Sequence, residues 1–323
     1  MTFDAAVVIP FFQTESGILP RALSSITAQQ GLGAVVVIVV DDASPMAAAA
    51  EVATLGELPC ITIRVVQRPN GGPAAARNTG LAAVPPDTRY VAFLDSDDEW
   101  SVDHLARAVG ALSRGFDFYF ADLLHLGQTT SAFKRAGRIV ESEHVALAGL
   151  DGVFTYSGDM FDQIMRGNVI GTSTVVFDRT RFAHVRFREE YYSAGEDYLC
   201  WMDFARKGAR FVFSTHCEAK YGRGVNVYSG AQWGTARHLE RVHNEFKYRK
   251  ATMRLHPVTP EQAGFLKRKK AELREEFTRS LLSMIRRRAR VPVRVLARQL
   301  ALDPVLAIEP LALIARKLSG RLR

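Results

Sequence analysis

Cysteine is scarce: Cys60, Cys200 and Cys217 are the only three in 323 residues, and none forms a CxxC pair. That is too few and too scattered for a disulfide framework, and a reducing compartment is the natural reading. No apolar run approaches the roughly 18 residues needed to span a bilayer. The opening MTFDAAVVIPFF carries an acidic residue and no basic cluster before a short apolar run ending near Pro10, so it does not read as a signal peptide. A cytoplasmic protein is expected, soluble or peripheral on the inner face of the plasma membrane. Internal repeats and low-complexity tracts are missing too, and no recognised nucleic-acid-binding motif is present, so no nucleic acid partner is expected.

What is present suits a folded enzyme. The composition is 47% hydrophobic and 24% charged, near the average for globular proteins, and the length allows one large domain with an extension or two ordinary domains. The net charge of +8 is unevenly distributed. Residues 1–236 carry 20 Lys+Arg against 26 Asp+Glu, whereas residues 237–323 carry 22 against 8. The basic character belongs to the tail, which implies either an anionic partner for that part or a solvated helical face.

The first 125 residues alternate short β-rich runs with helical patterns. Runs at 5–10, 35–40, 61–66 and 90–94 are rich in Val, Ile and aromatics, the pattern of strands buried on both faces. Leu19, Leu23 and Ile26 recur at helical spacing after the first, and Leu105, Val109 and Leu112 after the fourth, with Ser101 as the expected N-cap. Such alternation predicts an α/β fold: a mostly parallel, Rossmann-like nucleotide-binding sheet with helices on both faces. Further on, residues 174–177 and 210–214 read as strands and 195–207 as a helix. Beyond 237 the chain reads as a helical extension broken at Pro257, Pro260, Pro292, Pro304 and Pro310.

Ligands of such sheets sit outside the carboxyl ends of the strands. The residues there include Asp41, Asp42 and Ser44, then Arg68, Asn70, Gly71 and Gly72, then Asp95, Ser96, Asp97 and Asp98. In FLDSDDEW, residues 93–100, Asp95 and Asp97 leave one strand end together and can hold a hard cation, Mg²⁺ or Mn²⁺, alongside diphosphate oxygens. Acids after a strand also cap helices, and a DxD alone is common. In VVDDAS, Asp42 suits hydrogen bonds from a nucleobase or ribose. In NGGPAAARNTG, residues 70–80, small residues open a helix and let backbone approach a phosphate or sugar, while Arg77 supplies a guanidinium fork. No GK[ST] follows and the spacing is not GxGxxG, so neither nucleotide-binding loop is present.

In order and spacing, VVIPFF, VVDDAS, NGGPAAARNTG, LDSDD and GEDYLCW resemble family-2 glycosyltransferases with the glycosyltransferase A fold, over roughly residues 5–230. The series of five is far more specific than any one member. The resemblance implies an inverting transferase that uses a nucleoside diphosphate sugar, commonly uridine- or thymidine-linked, and a hydroxyl acceptor, in bacterial-type surface polysaccharide or glycoconjugate synthesis. It implies that Pro10 and Phe12 line the base pocket, Asp42 contacts the base, Arg77 helps fix the nucleotide, Asp95 and the adjoining Ser96 face the ribose or sugar, and Asp97 is the principal metal ligand. Asp197, with Glu196 as substitute, resembles the base that deprotonates the acceptor. The same pair also suits a helix N-terminus. Tyr198 and Trp201 offer either a sugar-stacking face or core. Thr172, Ser173 and Thr174 fall near the sugar. Relatives often carry Tyr-Arg-x-His after the base; here residues 221–226 read YGRGVN with no histidine, leaving Asp97, diphosphate and water, or His216, to complete the metal site. The QxxRW element of processive synthases is missing, which favours single addition.

The expected organisation is a catalytic domain over 1–236, with a nucleotide-sugar half (1–125) and an acceptor and base half (126–236), then a basic amphipathic extension over 237–323. In that extension Lys267 to Lys270 and Arg286 to Arg288 interleave with Phe277, Leu281, Leu282 and Ile285. Such helices suit an anionic bilayer and a lipid-linked acceptor, or packing on protein. Two other functions fit parts of the pattern. A non-catalytic nucleotide-sugar-binding regulator is opposed by the intact Asp97 and Asp197, and a nucleotidyltransferase by the lack of a basic residue in FFQTESG after the first strand.

Overall fold

The run VVVIVVD at 35–41 is β-branched almost throughout and has no polar face, so a strand there must be covered on both sides. In the computed structural model it is β2 (Val35–Asp41), buried along its full length. The structure describes residues 3–56, 58, 60–192, 194–225, 230–311 and 313. By backbone contacts the chain forms two compact units, residues 1–192 with 196–225, and residues 193–195 with 226–323.

The first unit opens with β1 (Ala5–Phe11), α1 (Leu19–Thr27), β2, α2 (Ala48–Val52), β3 (Ile61–Gln67), α3 (Gly72–Ala83) and β4 (Tyr90–Phe93). It continues with β5 (Glu99–Trp100), α4 (His104–Leu112), β6 (Phe118–Leu124), α5 (Ala132–Ala136), β7 (Val145–Ala146), β8 (Val153–Thr155) and α6 (Met160–Arg166). It ends with β9 (Val176–Asp178), α7 (Arg179–Phe182), α8 (Glu196–Arg206) and β10 (Phe211–Lys220). One sheet runs in the order β3-β2-β1-β4-β9-β6-β10-β8-β7, with β5 paired to β10. The first four strands are mutually parallel, β6 is parallel to β10, and β9 runs antiparallel between the two sets. The expected α/β architecture is therefore observed, with the antiparallel β9 joining two parallel groups. One core cluster joins Val7, Ile9, Val37 and Val39 to Leu19, Leu23, Leu105 and Leu112.

Several local expectations need correcting. The run at 61–66 is not buried on both faces: β3 is an edge strand whose residues alternate between partly buried and exposed. Ser101 does not cap α4. Residues 99–100 pair with β10, and the Ser101 N–H donates to the Glu218 carbonyl (2.9 Å), which keeps Ser101 at the sheet and delays the helix to His104. The strand read at 174–177 begins at Val176, because Thr172–Thr174 close into a 3-10 turn.

In the second unit, α9 (Ala236–Leu255), α10 (Pro260–Arg286) and α11 (Val293–Leu302) pack around Leu239, Val242, Phe246, Leu273, Phe277 and Met284. The prolines act as punctuation. Pro260 begins α10 behind a Thr259–Gln262 capping box, and Pro292 precedes α11. Phe277 is fully buried and Leu281 packs against the same core, so both face protein. No helix among the described residues is long and apolar enough to cross a membrane. Residues 312 and 314–323 of the expected extension lie outside the described residues.

Candidate active site

In the order β3-β2-β1-β4 the chain reverses its direction of travel at β1, so a crevice opens between the carboxyl ends of β1 and β4. Pro10, half-buried, and Phe12, 37% exposed, leave β1 there, and Asp95 to Asp98 leave β4. Pro10 falls beyond the last β1–β4 register pair, Val8 with Phe93, where its missing N–H costs no bond to β4.

The loops after β2 and β3 are tied together by Asp42. Its buried carboxylate accepts the Gly71 N–H (3.0 and 3.1 Å) and the Gly72 N–H (2.7 Å) and pairs with Arg68, while Asn70 donates to its carbonyl (2.9 Å). The arrangement needs Gly72, whose φ of +82° is unfavourable for other residues and whose added Cβ would strike the Tyr192 ring. Tyr192 in turn donates from its hydroxyl to Asn70 (2.5 Å). Asp42 thus shapes the Gly-rich loop with most of its acceptor capacity.

The acidic loop after β4 is held from three sides. Ser173, fully buried in its 3-10 turn, accepts the Asp95 N–H (3.0 Å) and donates to Asp98 (2.5 Å), and its carbonyl accepts the Trp100 indole N–H (2.5 Å). Gln13 donates to Ser96 (3.0 Å) and accepts the Val225 N–H (3.2 Å). Gly222 donates its N–H to Asp98 (3.0 Å). Residues 221–225 lie so close to Asp97 that a Cβ on Gly222 would fall 1.7 Å from its carbonyl oxygen, and one on Gly224 2.4 Å from its carboxylate. Only glycine fits there. Burial, with Asp95 adding to it, pushes the Asp97 carboxyl up to about 6, and burial likewise raises Asp98 well above the carboxylate range.

Arg77 connects this loop to the start of α8. Its buried guanidinium pairs with Asp95 (2.7 Å) and Glu196 (3.2 Å) and lies over the Phe187 ring, 5.4 Å from the centroid. Burial opposes the charge, but Asp95 and Glu196 outweigh it and raise the Arg77 pKa. Glu196 is pushed up to about 8 by burial and by Asp197, against the pull of Arg77. Asp197 is also raised, by burial, and its carboxylate accepts the Tyr198 N–H (2.8 Å). Among the described residues Arg77 pairs with Glu196, whereas no ion pair engages the Asp197 carboxylate.

Residues 6–181, more than half the chain, match the family described as Glycosyl transferase family 2. The chain belongs to that family. It is 32% identical to the succinoglycan biosynthesis protein ExoW of Rhizobium meliloti (strain 1021) over 97% of this chain and 98% of ExoW. It is 28% identical to UDP-Glc:alpha-D-GlcNAc-diphosphoundecaprenol beta-1,3-glucosyltransferase WfaP of Escherichia coli over 43% of this chain and 47% of WfaP. Among solved structures, S. aureus TarS 1–349 in complex with UDP-GlcNAc shares the fold with a TM-score of 0.55 at 17% identity, over 95% of this chain and 87% of that one.

Within this family-2 chain, the residues singled out from sequence gather at one sheet edge. Asp95, Ser96 and Asp97 share one loop, and Arg77 ties Asp95 to the helix that carries Asp197. Two candidates do not join them. Trp201 is fully buried among Phe93, Phe118 and Phe187, so it is core. His216 packs on Gly152 with its Nε2 3.2 Å from Asp151. Asn226 lies outside the described residues. Sequence reading missed Gln13, which bridges two loops, and the anchoring role of Ser173. A glutamine after a strand carries no signal of its own.

The donor set fits a divalent cation whose coordination is mostly completed by substrate. Asp95 and Asp97 leave one loop, and burial, with Asp95 adding to it, raises Asp97. Among the described residues no group of three or more His, Cys, Asp or Glu is placed to hold a metal by itself. One or two carboxylates plus phosphate oxygens and water is the usual Mg²⁺ arrangement.

Proposed function

We propose that this protein is an inverting, metal-dependent glycosyltransferase that moves a sugar from a nucleoside diphosphate sugar, uridine-linked, to a hydroxyl of a lipid-linked glycan in surface polysaccharide synthesis. One observation carries the reading: Arg77 joins the acidic loop after β4 to the first turn of α8, so the carboxylates of that loop and the neighbouring Asp197 belong to one connected cluster. A transferase needs charge neutralisation on the leaving side and a base on the attacking side, and this cluster offers both. The uridine nucleotide and lipid-linked acceptor are supported by the similarity to WfaP, whose name specifies both for that protein.

In this reading Pro10 and Phe12 flank the base, and Asp42 uses its remaining acceptor capacity on the nucleotide while holding the Gly-rich loop for the diphosphate. Asp95 and Ser96 face the ribose or sugar, and Asp97, with Asp95 beside it, would hold Mn²⁺ or Mg²⁺. When bound, that cation screens the charge developing on the departing diphosphate. Asp197 takes the proton from the acceptor hydroxyl as its oxygen attacks the anomeric carbon. The bond from that carbon to the diphosphate oxygen breaks on the opposite face, which releases the nucleoside diphosphate and inverts the centre. A carboxyl raised by burial is a better proton acceptor near neutral pH than a solvated one.

The test is transfer from a panel of uridine diphosphate sugars to a diphospho-lipid-linked sugar, with Mn²⁺ or with chelator, and the product's anomeric configuration read by NMR. Loss of turnover with chelator and in Asp97→Ala, together with an inverted product, supports the reading. A product that keeps the donor's configuration, or full turnover in Asp197→Asn, removes the single-displacement mechanism.

A further inference from the structure

Midway along α10, Arg274 pairs with Asp303 (2.6 Å) and Arg279 with Glu275 (2.7 Å), although Arg268 nearer its start has no ion pair among the described residues. At the end of α10 the pairing stops. Arg286, Arg287, Arg288 and Arg290 are exposed, and no ion pair engages them among the described residues. Around the same turn the apolar residues also face outward. Ile285 is 54% exposed and Leu282 44%, and Val293, at the start of α11, is 70% exposed, whereas Phe277 and Met284 of the same helix are buried.

The turn itself is well formed. Ala289 donates its N–H to Met284 (2.9 Å) and Arg288 to Ile285 (3.0 Å), the paired bonds of a Schellman cap. That cap places Arg288 at φ +55°, a position where glycine is favoured. Cations near a helix C-terminus are favoured by the helix dipole, which accounts for charge in the last turn. It does not account for Arg290 beyond the helix, or for three large apolar side chains exposed beside the arginines.

We propose that the α10–α11 turn is a docking surface for an anionic bilayer, with Leu282, Ile285 and Val293 entering the headgroup boundary and the four arginines pairing with lipid phosphates. Two other partners fit less well. A second copy of this chain docking through the same patch would bring eight arginines together. A nucleic acid would leave the apolar residues unused. A bilayer surface uses both kinds of group at once. The proposal goes beyond the transfer reaction and does not depend on it.

The test is flotation of the full chain with vesicles of phosphatidylcholine alone or of an equal mixture with phosphatidylglycerol, without any sugar donor. Failure here leaves the transferase reading intact, and failure of transfer leaves this one intact. Binding to the mixed vesicles, release at high salt and little binding to phosphatidylcholine are expected. Each basic residue near an anionic surface contributes about fivefold. Arg→Gln at positions 286, 287, 288 and 290 together should therefore lower partitioning by about two orders of magnitude or more. Leu282→Ser with Ile285→Ser should weaken binding in low salt and leave the thermal midpoint unchanged, since both side chains are exposed. No binding, equal binding to both vesicle types, or unchanged binding in the arginine variant would overturn the proposal. So would a concentration-dependent increase in mass that these same substitutions abolish. Should the arginine variant fold poorly, the salt release of the wild-type chain decides.

Discussion

Glu218 and the acidic loop at 95–98 both bury carboxylates in the first unit, but Glu218 is surrounded by groups that answer its charge, whereas in the loop Arg77 pairs with Asp95 and leaves Asp97 and Asp98 to other donors. His104 Nδ1 (2.8 Å), Arg107 (2.8 Å) and the Tyr119 hydroxyl (2.7 and 2.8 Å from its two oxygens) all converge on it. Asp97 and Asp98 sit close to Asp95; Ser173 and the Gly222 N–H donate to Asp98, and no ion pair engages Asp97 or Asp98 among the described residues. The shifts differ accordingly: Glu218 lies below its ordinary value, Asp97 and Asp98 above theirs. Breaking a buried carboxylate out of a set of matched partners is costly, whereas carboxyls raised by burial and by like-charged neighbours cluster at functional sites.

The sharpest way to break this contrast is to remove a carboxylate from each side and measure activity and stability separately. Asp97→Asn and Asp197→Asn should each lower turnover by about a thousandfold or more, the range for losing a catalytic base or a charge-stabilising contact. Neither should lower the thermal midpoint. Asp97→Asn should raise it, because the variant relieves a buried charge set against Asp95. A lower midpoint in Asp97→Asn would mean that the loop is structural like Glu218.

Glu218→Ala should do the reverse. Breaking a buried, hydrogen-bonded pair by removing one partner costs about 3–5 kcal/mol, and here the loss leaves Arg107, His104 and Tyr119 facing an apolar gap. Equilibrium unfolding should show that loss, while turnover per folded molecule stays within a few-fold of wild type. Burial alone would raise Glu218, but the hydrogen bond and charge of His104, followed by Arg107, outweigh it. A depressed carboxylate stabilises the fold fully above its unfolded value, and that contribution disappears as pH falls through the folded one. The stability gap between wild type and Glu218→Gln should therefore narrow as pH drops below the ordinary 4.5. A gap that stays constant into acid would show that Glu218 is not ionised in the fold.

The contrast also separates what could be read in the sequence from what could not. The parallel strands were legible because VVVIVVD and VVIPF leave no alternative to full burial, and strand ends fix where loops gather. Paired acids at those ends therefore pointed to the right edge. The edge position of β3 was not legible, because ITIRVV has the same residue types whether one face or two are covered. Nor was Glu218 visible as a network centre: its partners come from 99 to 114 residues away and share no spacing. The anchoring by Ser173 was hidden for the same reason. TST at 172–174 looks like any polar turn until β9 brings it beside β4.

Ser173→Ala gives the smallest expected effect and the finest test, because it touches the acidic loop without removing any charge. The variant leaves the Asp95 N–H without its acceptor and Asp98 without its 2.5 Å donor. A lost buried hydrogen bond of this kind costs about 1–3 kcal/mol, part of it in stability and part in loop position. If the loop at 95–98 is set by its neighbours, turnover should fall by about tenfold and the Mn²⁺ concentration for half-maximal activity should rise. Ser173→Thr, which keeps the hydroxyl, tests the bonds more directly than the cavity. Should Ser173→Ala lower the midpoint yet leave the Mn²⁺ dependence unchanged, Ser173 would belong with Glu218 as part of the scaffold. The loop would then hold its shape through Arg77, Gly222 and Gln13 without Ser173.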